Sequence, residues 1–124
     1  MRKYHLLAPG PTPVPPRVLE AMARPLMHHR TKEFEALFEE VRSGLSWLYQ
    51  SEGDVIMLAA SGSGGMEASA ANLLSPGDSA LVVEGGKFGE RWVEICRAYG
   101  FETDVISVEW GRSVDLGEVE SRLR

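Results

Sequence analysis

A chain of 124 residues with 13 basic and 18 acidic side chains carries a formal net charge of −5, which argues against a nucleic-acid-binding face. Its single cysteine, Cys96, allows no internal disulfide and no cysteine metal cluster. The chain is 44% apolar, enough for a core, yet no apolar run approaches membrane-spanning length, and the proline-broken start "MRKYHLLAPGPTP" does not read as a signal peptide. The expectation is therefore one small cytoplasmic domain, or part of a larger one, with no nucleic-acid or membrane partner.

"LLAPGPTPVPP" (Leu6 to Pro16) has five prolines in eleven residues. Proline fixes φ and biases its predecessor to extended geometry, so this is a stiff arm. Pro15 and Pro16 suit the first turn of a short helix, "PPRVLEAMAR", which Pro25 ends. The strongest helical signal runs from Thr31 to Gln50. Phe34, Leu37, Phe38, Val41, Leu45 and Leu48 fall on one face, and Thr31 can cap the start.

"DVIMLAA" (Asp54 to Ala60) reads as a buried strand. "SGSGG" follows, then a helix "MEASAANLL", the turn "SPGD" and a second strand "SALVVE". Next come "GGKFG", a helix "FGERWVEICRAYG" with Gly100 past its end, and a third strand "FETDVISV". "DLGEVESRLR" opens a last helix, where Asp115 and Glu118 predict a capping box. Alternation of this kind predicts an α/β fold with a mostly parallel sheet of three strands here. The organisation expected is an arm and short helix over 1–30, then an incomplete α/β domain over 31–124. Three strands are few, so the chain reads as the N-terminal part of something longer.

"SGSGG" has the residue types of an anion site. Amides in the first turn of a helix point outward, serine hydroxyls donate, and glycine lets backbone approach closely. It is not a P-loop, because Gly-Gly-Met stands where Gly-Lys-Ser/Thr belongs. Nor is it a dinucleotide fingerprint, because Glu67 replaces the third glycine. A phosphate cup and a tight βα turn both remain open. "EGGKFGERW" repeats the pattern of strand, glycine loop and helix, and both loops fall at carboxyl ends of parallel strands, where ligands bind. Phe88 can cover a flat ring there, or start the apolar line of its helix with Trp92.

"LLAPGPTPVPPRVLEAM", "ASGSGGMEASAANLLSPGDSALV" and "GGKFGERW" resemble, in order and spacing, the N-terminal part of class V aminotransferases. The most similar branch is the alanine–glyoxylate and serine–pyruvate or serine–glyoxylate group. The resemblance implies a fold type I enzyme that uses pyridoxal 5'-phosphate and works as a homodimer on a small amino acid and a 2-oxo acid. Ser61, Gly62 and Ser63 match the turn that holds the cofactor phosphate. Phe88 matches the aromatic that stacks on the ring, where relatives often carry tryptophan. Gly10 matches the arm that approaches the substrate carboxylate, and His29 and Arg30 match a loop lining the active site; a polar loop before a helix is the competing reading for that loop.

The resemblance also implies what these residues do not supply. The Schiff-base lysine, the aspartate at the ring nitrogen and the carboxylate-binding arginine of the family all fall beyond Arg124. Lys3, Lys32 and Lys87 are the lysines present, and none matches the Schiff-base position. In this fold the strand at 54–60 lies at one sheet edge, and the strands between it and the other two come from later sequence. The 124 residues alone are thus expected to be inactive. The alternatives are a non-catalytic module for a phosphorylated ligand and an inactive truncated gene product.

Overall fold

Proline chemistry sets the first helix. In the computed structural model, which describes residues 5–124, α1 spans Pro16–Met22, with Pro16 in a first turn where its missing N–H costs nothing. Helix α2 spans Lys32–Tyr49. Thr31 is extended, and its Oγ1 accepts the Phe34 N–H at 3.3 Å while its hydroxyl donates to the His28 carbonyl at 2.9 Å. Glu33 and Glu35 add negative charge at the positive end of the helix dipole. Gln50 stops the helix with φ 51°, and the Ser51 and Gln50 N–H groups close back onto the Ser46 and Trp47 carbonyls.

The chain divides into two compact units between Ile56 and Met57. The first unit holds α1 and α2, and neither helix contains a buried residue. Arg42 joins Glu39 at 2.9 Å and Asp54 at 3.3 Å, and its hydrogen bond holds the Glu39 carboxyl below the usual range.

One expected element is absent. Residues 54–60 form no strand, and the parallel sheet has two strands rather than three among the described residues. The backbone there is irregular, and Ile56 is 78% exposed. A strand exists through its neighbour's hydrogen bonds, and none of the described residues pairs with this run. Apolar composition made a strand plausible but supplied no partner.

The second unit is built around one βαβ crossover. Helix α3 spans Gly62–Leu73, β1 Ser79–Glu84, α4 Lys87–Ala98, β2 Glu102–Ser107 and α5 Leu116–Arg122. Strands β1 and β2 pair in parallel, from Ser79 opposite Glu102 to Glu84 opposite Ser107. Ala70, Cys96 and Phe101 form the buried cluster, with Leu74, Ala80, Val82, Trp92 and Ile95 packed against it. Val93 and Ile106 are also buried.

Helix α4 is fixed at both ends. At its start a Cβ on Gly89 would lie 2.6 Å from the Val83 carbonyl oxygen, so only glycine lets the helix approach β1 this closely. At its end Gly100 takes φ 76°, and the Phe101 and Gly100 N–H groups bond the Cys96 and Arg97 carbonyls. This closure delivers Phe101 onto Cys96 in the core. Tyr99 donates its hydroxyl to Glu67 of α3 at 2.8 Å. That bond raises the tyrosine pKa above its ordinary value. Only the aspartate half of the expected capping box forms: Asp115 accepts the Gly117 N–H at 2.9 Å, whereas Glu118 faces Arg122 at 3.6 Å.

Candidate functional site

The site grows from the starts of α3 and α4. Ser61 is the N-cap of α3; its Oγ accepts the Gly64 N–H at 3.3 Å and its carbonyl accepts the Gly65 N–H at 3.2 Å. The helix fold leaves the Gly62 and Ser63 N–H groups without an acceptor in the preceding turn. The three glycines have different reasons. A Cβ on Gly64 would sit 2.8 Å from the Ala60 Cβ, so that position is set by packing. Gly62 and Gly65 have open space around them.

Helix α4 begins differently. Gly86 is its N-cap and offers no side chain to the first amides. Lys87 pairs with Glu90, and Arg91 pairs with Glu94 at 2.8 Å. Phe88 is 71% exposed, so its ring is a free face and not part of the helix core.

Ser61, Gly62, Ser63 and Phe88 line one open cleft of about 550 Å³, together with Met66, Lys87 and Arg91. Amides and hydroxyls from the start of α3, with two cations and a flat ring from α4, suit an anion attached to an aromatic body. Sequence reading missed Arg91 and Met66 as members. The signal was helical spacing: Arg91 lies three residues after Phe88, and Met66 three after Ser63.

Gly10, His29 and Arg30 belong to the first unit. Nothing lies within 4 Å of a Cβ built on Gly10. His29 and Arg30 line a separate concavity there with Thr31, Lys32 and Phe34. His28 holds the turn: its Nδ1 accepts the Arg30 N–H at 3.0 Å, and its ring stacks on His29 at 4.8 Å.

Over residues 4–124 the chain matches the family described as aminotransferase class-V. The chain belongs to the class-V aminotransferases. It is 48% identical over 122 residues to a protein named soluble hydrogenase 42 kDa subunit from Anabaena cylindrica, covering 98% of this chain and 32% of that one. It is 32% identical over 123 residues to the serine–glyoxylate aminotransferase of Methylorubrum extorquens, covering 98% and 31%. Among solved structures, the alanine–glyoxylate aminotransferase of Nostoc sp. superposes with a TM-score of 0.90 at 35% identity, covering 99% of this chain and 33% of that one. This class-V chain therefore spans about a third of the length of the relatives it matches. Its α/β fold is that of the N-terminal part of a fold type I aminotransferase.

Proposed function

We propose that these residues form the cofactor cup of a pyridoxal-5'-phosphate-dependent transaminase. In its full-length form it moves an amino group from a small amino acid such as alanine or serine to glyoxylate or pyruvate. The observation that carries this reading is the meeting of Ser61, Gly62, Ser63 and Phe88 in one cleft. Relatives named serine–glyoxylate and alanine–glyoxylate aminotransferase support the substrate class.

The donor set fits the cofactor. The Gly62 and Ser63 amides and the Ser61 and Ser63 hydroxyls would hold the phosphate, aided by the dipole of α3. The exposed Phe88 ring would cover one face of the pyridine. When bound, the cofactor supplies an aldehyde and an electron-withdrawing ring that together ease bond breaking at the amino acid's Cα. The chain's own share is to bind, orient and exclude water from one face. Gly10, His29 and Arg30 are the proposed substrate-side residues, supported by their motif match. A cytoplasmic homodimer is the proposed working form.

Lys87 is not the proposed reactive amine; its pairing with Glu90 supports a charge role. The 124-residue polypeptide alone is accordingly inactive. The test is incubation with pyridoxal 5'-phosphate, alanine or serine, and glyoxylate or pyruvate, followed by borohydride reduction and peptide mapping. No turnover and no modified Lys87 are expected. Turnover accompanied by cofactor fixed on Lys87 would contradict the assignment.

A further inference from the structure

We propose that Arg91 is a further cofactor-binding residue, holding the phosphate through its guanidinium; this rests on the reading that the Ser61–Ser63 turn takes that phosphate. Arg91 stands one helical turn after Phe88 and lines the same cleft as Ser61, Gly62 and Ser63. A phosphate offers three strong acceptor oxygens and about −1.5 to −2 charge near neutral pH. Two amides and two hydroxyls from α3 cannot saturate those oxygens, and they bring no full positive charge. The Ser61 oxygen also accepts the Gly64 N–H, which leaves that hydroxyl one O–H to donate.

Arg91 supplies what is missing. Its pair with Glu94 runs through Nη1, and its side chain is 55% exposed. A guanidinium carries five N–H donors in a rigid fork, so donors remain for two phosphate oxygens. Glu94 is a weak competitor, because exposed ion pairs of this type contribute little. Lys87, the other cation of the cleft, is a point charge without the fork and is drawn to Glu90.

The test compares pyridoxal 5'-phosphate with pyridoxal, which lacks the phosphate. Both are titrated into the 124-residue chain and its Arg91→Gln and Arg91→Lys variants, read by quenching of tryptophan fluorescence, with thermal melts to establish that each variant is folded. Arg91→Gln should weaken the phosphorylated compound about tenfold and leave pyridoxal unchanged, and Arg91→Lys should recover part of the loss. Equal loss for both compounds, or none for either, overturns the role of Arg91 and leaves the cup standing. A parent chain that does not prefer the phosphorylated compound contradicts the cup itself, and the arginine's role with it.

Discussion

The two glycine loops look alike in sequence and are built for different ends. In the first, Ser61 caps its own helix from inside, and the amides of Gly62 and Ser63 stay outward. In the second, Gly86 leaves the helix start uncapped, Gly89 is pressed against β1, and the side chains of Phe88 and Arg91 reach the cleft. One loop offers backbone and the other offers side chains. Glycine content alone does not separate them; what each missing Cβ would strike does.

The largest effect is expected where glycine is a packing requirement. Gly89→Ala puts a methyl against the Val83 carbonyl and the Glu84 Cα, 2.6 and 2.9 Å away. Because both contacts are backbone, about 3 kcal/mol of stability should be lost, measured by urea unfolding. Gly64→Ala meets side-chain atoms, the Ala60 Cβ at 2.8 Å and the Ser61 Oγ at 3.9 Å, and gains helix propensity in return. A smaller loss of about 1 kcal/mol is expected by the same measurement. If the two losses are equal, the contrast between the loops is wrong.

Ser61 separates cap from cup. Ser61→Ala should cost about 1 kcal/mol through the lost cap. Ser61→Asp should keep the cap, yet it places a carboxylate where the phosphate would sit. A melt close to the parent's with greatly weakened binding of pyridoxal 5'-phosphate is the expected pair of results. Phe88→Ala should move stability by no more than about 0.5 kcal/mol, because the ring is already exposed. The same change should weaken cofactor binding several-fold through lost stacking; a large drop in stability would return Phe88 to the helix core.

The smallest effect is at the bond between the end of α4 and the middle of α3. The Tyr99 hydroxyl donates to Glu67, so its folded pKa is raised above 10.0. A raised pKa stabilises the fold below the ordinary value, and this contribution fades as pH climbs from 10 through the raised value. Melting of the parent chain and Tyr99→Phe should therefore differ slightly at neutral pH and converge in alkali.

Much of this was legible in the residues. Period and caps located α2, β1, α4 and β2, because those elements carry their own stop and start chemistry at Thr31, Gly100 and the "SPGD" turn. The run at 54–60 misled because a strand depends on a partner that local sequence does not name. Ser61 was legible as a polar donor but not as a cap, because the helix was expected to start at Met66, whereas α3 begins at Gly62 and takes in the glycine loop. Arg91 was overlooked because its ion pair and its place in the cleft come from the helix face, not from a motif.

In the proposed cup, the amides of Gly62 and Ser63 take the phosphate. The most direct measurement is a two-dimensional amide NMR titration of the isotope-labelled chain with pyridoxal 5'-phosphate. The largest shifts are expected at Gly62 and Ser63, with smaller ones around Phe88. Saturable binding that leaves the Gly62 and Ser63 amides unmoved would contradict the proposed cup.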